Sequence, residues 1–307
     1  MEYKNRLNST VAAFWNGDGF SIKDTEGWKI AIKRATKDLM ARTLKRKAPE
    51  SENFTDNIIA VLIPRLEAWF GKPQADVSEE NFDTWHQESC SAVLTVLREF
   101  YSNQDGTDVA YGKAQKIVNM TMKGLYCLVG ATDLNRHFQY CHMALDSFIL
   151  EWFSRNVMSW YNEGKKTKDK LKKASMVSWS VIPEGSGIDP YGYDTYVQHI
   201  REYFASTCPY DGLTPLQAEF FIWTEIQLAM AAEALYGQDI GKEEAVAEAQ
   251  ARWNIQWTVE QQKDVNKQFA RCKQEFKLRP LEEKVEFLRT RVEQLCKYVN
   301  IGVSTCF

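Results

Sequence analysis

Apolar residues recur at helical spacing along most of this chain, and that periodicity limits the folds open to it. Within residues 25–44, for example, Trp28, Ile32, Ala35 and Leu39 follow one another at steps of three and four and so fall on one helix face. Alternating strand patterns, Asn-Gly hairpins between β-branched runs and glycine-rich phosphate loops do not occur. The sequence therefore predicts an all-α fold, a globular bundle of many helices in one or two subdomains.

Local capping signals set the expected helix boundaries. Asn53 or Thr55 can open a helix that runs to Phe70, and Ser78, followed by two glutamates, can open another that reaches about Tyr101. Further helices are predicted over 109–129, 133–161, 196–207 and 216–236. The helices over 109–129 and 133–161 are joined by a short link, so we expect them to form an antiparallel hairpin.

The strongest internal break is the loop predicted at 181–195, which is rich in proline and glycine. It divides the chain into a helical domain over 1–180, with the hairpin at 109–161, and a C-terminal subdomain over 196–307. That subdomain ends in a long amphipathic helix, whose apolar residues follow a four-three spacing from Leu281 to Val299. This seam either packs inside the molecule or forms a coiled coil in a homodimer.

Composition narrows the function classes. The chain has 307 residues, 44% of them hydrophobic, and a formal net charge of −3, so any binding of nucleic acid must come from local basic patches. No apolar run is long enough for a membrane span or a signal peptide, which favours a cytoplasmic protein. The seven cysteines form no CxxC pair and read as reduced thiols. We expect no metal and no cofactor.

Polar residues interrupt the predicted helix over 109–129 where a core helix should be apolar. Lys116, Asn119 and Lys123 share one face, and Gln115 lies one turn before Asn119. Apolar residues fill most of the remaining positions. The polar stripe is therefore expected to face something other than plain solvent.

The second helix of the predicted hairpin carries His142 and Asp146 four residues apart, and thus on one face, amid apolar neighbours. In an antiparallel hairpin, Lys116 or Lys123 would reach Asp146. A buried lysine and aspartate pair of this kind is a candidate active site. The alternative is a structural ion pair beside an ordinary half-buried histidine.

These residues also carry a resemblance to a known family. Gln115-Lys116-Ile117-Val118, followed by Leu145-Asp146-Ser147 with the aspartate 30 positions after the lysine, resembles the motif of helix-hairpin-helix DNA glycosylases. The likeness is to the archaeal 8-oxoguanine glycosylase branch, and also to bacterial antiphage glycosylases that remove glucosylated hydroxymethylcytosine. It spans about 111–152. The Leu-Pro-Gly-Val-Gly hairpin of that superfamily is missing, and the segment 128–132 replaces it only in part.

The resemblance implies that Lys116 is the amine nucleophile and Asp146 the catalytic carboxylate of an enzyme that excises a modified or damaged base and leaves an abasic site. A role in defence against phages with modified DNA is one setting it implies. The partner it implies is double-stranded DNA that carries a modified base, and the target base would be extruded from the stack. The residues expected to line the base pocket are Gln115, Asn119, Lys123, His142, Tyr111 and Trp152.

Two basic stretches could hold DNA phosphates. The first, from Lys29 to Lys47, contains eight cations and one aspartate, and the second, from Lys165 to Lys173, contains six lysines. The residues expected to contact phosphate are Lys33, Arg34, Lys37, Lys45, Arg46, Lys168 and Lys170. Charge runs are also common on solvated faces, so they permit DNA binding without requiring it.

Two other functions remain open on the sequence. One is a non-enzymatic helical interaction module that assembles through the 281–299 seam. The other is a pocket for a nucleotide or small phosphate ligand, formed by Gln115, Lys116, Asn119 and Lys123.

Overall fold

The computed structural model describes residues 2–15, 19–39, 44–49 and 51–235. The helices within these ranges are α1 (Glu2–Trp15), α2 (Thr25–Leu39), α3 (Phe54–Phe70), α4 (Glu79–Phe100), α5 (Tyr111–Tyr126), α6 (Asn135–Phe138), α7 (Ser147–Trp152), α8 (Met158–Asn162), α9 (Tyr193–Thr207) and α10 (Pro215–Leu235). The predicted all-α class is confirmed. None of these helices has both the length and the apolar character needed to cross a bilayer.

The chain separates into two compact units. The first contains residues 1–5 and 15–219, and the second contains residues 6–14 together with those from 220 onward. In the second unit Phe14 packs edge-on against Phe220, with the ring centroids 5.2 Å apart. The loop at 181–195 lies inside the first unit. The predicted C-terminal amphipathic helix lies outside the described residues. The same holds for its 281–299 seam and for the homodimer contact that would use that seam.

Helix α5 is the centre of the first unit. It packs against α2 on one side and α4 on another, while α3 contacts both α2 and α4. At Gly124 the α2 backbone comes so near that an added Cβ would lie 3.1 Å from that of Ala31. A helix surrounded in this way must be buried almost all round, which explains why apolar residues cover most of its surface.

Two of the predicted caps are confirmed. The side chain of Asn53 accepts hydrogen bonds from the backbone N–H groups of Thr55 and Asp56 at the start of α3. Ser78 accepts one from the N–H group of Asn81 at the start of α4. These local signals placed both helices correctly because each depends on residues only two or three positions apart.

Two short strands depart from the prediction. Strand β1 (Leu44–Arg46) pairs antiparallel with β2 (Tyr101–Asn103), with Lys45 opposite Ser102. Each strand has three residues, which is too short for an alternating pattern to register in the sequence. Leu44, which the sequence pattern had included with helix α2 (described over Thr25–Leu39), lies in β1.

The prediction of one continuous helix over 133–161 is wrong. Residues 131–138 form a 3₁₀ turn and the single turn α6, residues 139–146 are not helical, and α7 then begins at Ser147. A π-helical turn, Phe153–Val157, separates α7 from α8. The antiparallel hairpin is therefore absent, and His142 and Asp146 do not share a helix face. The physical reason is that long-range side-chain hydrogen bonds hold the backbone of 143–145 in a non-helical form.

Candidate active site

Lys116 and Asp146 face each other between α5 and the start of α7. The Lys116 Nζ lies 4.0 Å from Asp146 Oδ2, and the two side chains are 14% and 13% exposed. Asp146 is the N-cap of α7, where its Oδ1 accepts hydrogen bonds of 2.9 and 3.0 Å from the backbone N–H groups of Phe148 and Ile149. One carboxylate oxygen is thus fixed by the helix N-terminus, and the other faces the lysine.

Trp179 lies beside this pair and contacts Lys116. The Lys116 Nζ lies 4.7 Å from the centroid of the Trp179 ring, a distance typical of a cation–π contact. Trp179 begins a 3₁₀ turn, Trp179–Val181, that packs against α5. Its indole is half-buried, so an aromatic surface lies beside the lysine and the carboxylate.

Gly112 allows the Trp179 turn to approach α5. A Cβ at this position would collide with the carbonyl oxygen of Trp179. The N–H group of Gly112, in the first turn of α5, donates to the carbonyl of Ile182 at 3.0 Å. Lys113 Nζ donates to Asn103 Oδ1 at 2.9 Å and to the carbonyl of Ser180 at 3.4 Å. The turn is therefore held at several points along its length.

The segment before Asp146 is held in place by Gln115. The Gln115 Nε2 donates to the carbonyl of Leu145 at 2.8 Å, and its Oε1 accepts from the Leu145 N–H group at 3.2 Å. The same Nε2 also donates to the Gly112 carbonyl at 2.8 Å. The side chain is fully buried, so these bonds are made away from water. Because Lys116 is the next residue on α5, one turn of helix sets the positions of both members of the pair.

Two further side chains complete this support. Asn119 Nδ2 donates to the carbonyl of Met143, and Glu219 Oε2 accepts from the N–H group of Ala144, each at 3.0 Å. The second oxygen of Glu219 lies 2.9 Å from Lys123 Nζ, and the two charged side chains are 2% and 3% exposed. Burial raises the pKa of Glu219, and the neighbouring lysine opposes that rise. Lys123 therefore pairs with Glu219, which the sequence analysis had not identified.

Three of the residues predicted to line a base pocket instead support the protein backbone. Gln115, Asn119 and Lys123 are buried and bonded to protein groups, and they support the segment that carries Asp146. This arrangement accounts for their polarity without a nucleotide or phosphate ligand. Trp152 is also buried and contacts the rings of Tyr203 and Phe204 on α9.

His142 belongs to a separate polar cluster. Its Nε2 lies 2.9 Å from Asp83 Oδ1, and its Nδ1 lies 2.9 Å from the hydroxyl of Tyr193. Burial lowers the pKa of His142, with a further contribution from Arg201. This Nε2 also lies 3.0 Å from Arg201 Nη2, so it faces one group that can only accept and one that can only donate. Burial raises the pKa of Tyr193 well above its usual value.

Arg201 and His86 close this cluster. Arg201 donates to both oxygens of Asp83, each at 2.7 Å. Burial alone would raise the pKa of Asp83, but the hydrogen bonds from Arg201 and His142 outweigh it and bring that pKa below its ordinary value. His86 Nε2 donates to Asn119 Oδ1 at 2.9 Å, and burial holds the pKa of this imidazole well below normal. The hydrogen bonds therefore continue from Asp83 to Asn119 and so to Gln115.

A cleft of about 690 Å³ opens over the cluster. Asp83, His86, His142, Tyr193 and Arg201 line it. Tyr111 also lines it, and burial raises the pKa of its phenol. Lys116 and Asp146 are not among the lining residues, so the cleft and the pair are distinct features. The internal hydrogen bonds of Asp83 and His142 hold the side chains of the cleft floor in place.

The predicted phosphate contacts also differ among themselves. Arg34 donates to the carbonyl of Trp15 and lies over its ring, and Arg46 donates to the carbonyls of Ala48, Pro49 and Glu52. The lysines among them all have exposed side chains: Lys33, Lys37, Lys45, Lys168 and Lys170.

The sequence did not predict several residues that lie in or near the site. Trp179 follows a lysine-rich stretch and gives no local signal of its position beside Lys116. Glu219 does leave a trace, because it is a lone carboxylate in the otherwise apolar run from Ala218 to Ile222. Asp83 and Arg201 look like ordinary exposed helix charges in the sequence.

Comparison with protein-family models, with curated proteins and with solved structures found no match to this chain.

Proposed function

We propose that this protein is a DNA glycosylase that hydrolyses the N-glycosidic bond of a modified or damaged base and leaves an abasic site. The observation that carries the proposal is the partly buried pair of Lys116 and Asp146, 4.0 Å apart and bordered by an indole. A partly exposed carboxylate that is fixed through one oxygen is suited to chemistry at a developing positive charge.

Cleavage of an N-glycosidic bond builds positive charge on the sugar. The C1′–N bond breaks, its electron pair leaves with the base, and the sugar acquires oxocarbenium character. Asp146 Oδ2 would stabilise that charge and accept a proton from the water that adds to C1′. The Oδ1 bonds to Phe148 and Ile149 keep the carboxylate oriented throughout, at little cost in reorganisation.

Lys116 fits the role of a cation in this mechanism. Its two described neighbours are a carboxylate and the face of an indole, and both interact favourably with an ammonium group. In that state it would hold a phosphate or the departing base while Asp146 directs hydrolysis. Attack by the Lys116 amine on C1′, followed by a Schiff base and strand scission, is the competing route.

Trp179 would supply the stacking surface that an extruded base requires. Bases that leave the duplex are held between aromatic or apolar side chains, and such a stack contributes about 1 to 3 kcal/mol. Lys116 lies over one face of this half-buried indole, so the base would stack on the opposite face. Sequence analysis assigned this role to Tyr111 and Trp152, which lie elsewhere.

The test is a base-release assay with Asp146→Asn. Duplexes containing normal, oxidised, alkylated or glucosylated hydroxymethylcytosine bases are incubated with each protein, and the released base is identified by mass. Asparagine still caps a helix, so the variant should remain within about 1 to 2 kcal/mol of the parent in unfolding free energy. Base release should be lost, whereas the exposed Asp56→Asn control should keep it. Full activity of Asp146→Asn would refute the proposal.

Borohydride reduction then separates the two roles of Lys116. We expect no covalent protein–DNA adduct, because hydrolysis leaves no imine to reduce. A trapped adduct that disappears in Lys116→Met would instead identify the lysine as the nucleophile. If no duplex in the panel loses a base, the glycosylase assignment fails for these substrate classes.

A further inference from the structure

The most strongly basic surface of the described chain is a loop that follows α8. Residues 163–173 contain six lysines against Glu163 and Asp169, in a protein whose formal net charge is −3. The side chains of Lys165, Lys166, Lys168 and Lys170 are exposed. Such a local concentration of charge is what an acidic protein needs in order to bind a polyanion.

This lysine loop, residues 163–170, is closed by a single carboxamide. Asn162 Oδ1 accepts from the N–H group of Leu171 at 2.7 Å, and Asn162 Nδ2 donates to the Leu171 carbonyl at 3.0 Å. Within the loop, the N–H group of Asp169 donates to the carbonyl of Lys166 at 2.9 Å. These hydrogen bonds therefore fix the backbone positions from which the four lysine side chains extend.

The chain that leaves the loop contacts α7 at Glu151 and then Lys116 on α5. Lys173 Nζ lies 3.5 Å from Glu151 Oε2, and Glu151 follows Asp146 by five residues, about 7.5 Å along a helix axis. Six residues further on, Trp179 contacts Lys116. Asn162, which closes the loop, follows Asp146 by 16 residues, about 24 Å along the helical segment 147–162, so the loop would hold phosphates several base pairs away from a base at the pair.

The other basic region is less suited to this task. Two of its arginines, Arg34 and Arg46, are bonded to backbone carbonyls. These two cations are therefore already engaged by protein groups.

We propose that the lysine loop is the surface with which this protein holds the phosphate backbone of duplex DNA. The choice of DNA rests on the proposed function, but the contact itself is independent of sequence and of base chemistry. Four lysines that each neutralise one phosphate would give the binding constant a strong dependence on salt concentration.

The test measures binding of the full chain to a short, unmodified, fluorescently labelled duplex over a range of KCl concentrations. Replacing Lys165, Lys166, Lys168 and Lys170 by glutamine should weaken binding about tenfold or more at low salt. It should also reduce the slope of log K against log salt by about 3 to 4. The matched control replaces Lys33, Lys37, Lys45 and Lys47 by glutamine and should leave the slope nearly unchanged. Replacing the loop lysines by arginine should retain it.

An unchanged slope in the loop variant, or an equal loss in the control, would overturn the proposal. So would a loop variant that binds duplex normally but no longer binds single-stranded RNA or vesicles containing phosphatidylserine, since the loop would then serve another polyanion. Unmodified DNA requires no base release, so the result is separate from the fate of the glycosylase assignment.

Discussion

The carboxamide of Gln115 pairs with both backbone groups of Leu145, the residue directly before Asp146. This contact joins α5, which carries Lys116, to the cap of α7, which carries the carboxylate. The spacing between the two charged groups is therefore set by buried hydrogen bonds, and it does not depend on the ion pair alone. Disturbing Gln115 should change both the stability of the fold and the geometry of the site.

The substitution Gln115→Met keeps the length of the side chain but removes every hydrogen bond it makes. It leaves the N–H and C=O groups of Leu145 buried without their partner, so we expect a loss of about 2 to 4 kcal/mol in unfolding free energy. Urea denaturation measures the change. Gln198→Met, at an exposed position of α9, should stay within about 0.5 kcal/mol of the parent. Similar losses at the two positions would contradict the supporting role of Gln115.

The buried pair of Lys123 and Glu219 should be costly to break from one side. Lys123→Met leaves the Glu219 carboxylate buried beside the Ala144 N–H group without its cation, a change expected to cost about 3 to 5 kcal/mol. Adding Glu219→Gln removes the unpaired charge while an amide oxygen can still accept from Ala144. The double variant should therefore be clearly more stable than Lys123→Met in thermal and chemical unfolding. A double variant that is no more stable would show that the charge is not the source of the loss.

Stability should fall as the solution becomes acidic, beginning near neutral pH. Burial lowers the pKa values of His86 and His142 below the ordinary 6.5, so the unfolded chain takes up protons at these positions before the folded chain does. His86, whose pKa lies well below its ordinary value, should reduce the unfolding free energy by about 1 kcal/mol between pH 6.5 and 5.5 and have little effect above that window. His142 should act in the same direction. In His86→Gln, whose amide can still donate to Asn119, denaturation curves at several pH values should show a shallower decline. A decline as steep as the parent's would exclude His86 as a source.

The parts of the fold that the sequence predicted well are those with local causes. Asn53 and Ser78 cap helices whose first N–H groups lie within three residues of them. The non-helical form of residues 143–145 has no such cause, because its partners are Gln115, Asn119 and Glu219. These lie between 24 and 75 positions away in the chain, where a periodicity pattern has no access to them.

The candidate site was predicted in a similar, partial way. The sequence paired Lys116 with Asp146, but through a helical hairpin that does not exist. Their proximity instead follows from the N-cap position of Asp146 and the Gln115 contact. Polarity within an apolar helix correctly marked Gln115, Asn119 and Lys123 as unusual, although their bonding partners are protein groups. Trp179 was missed because its place beside Lys116 depends on the close approach that Gly112 permits.

Asn162 closes the lysine loop with the same two-point pairing that Gln115 makes to Leu145. An amide in this position presents a donor to one backbone group and an acceptor to the other, and the corresponding acid offers only acceptors. Slow hydrolysis of Asn162 to aspartate would therefore set a carboxylate against the Leu171 carbonyl and add a negative charge beneath four lysines. Deamidation of Asn162 would therefore loosen the loop and weaken its positive electrostatic potential at the same time, with almost no change in the size of the side chain.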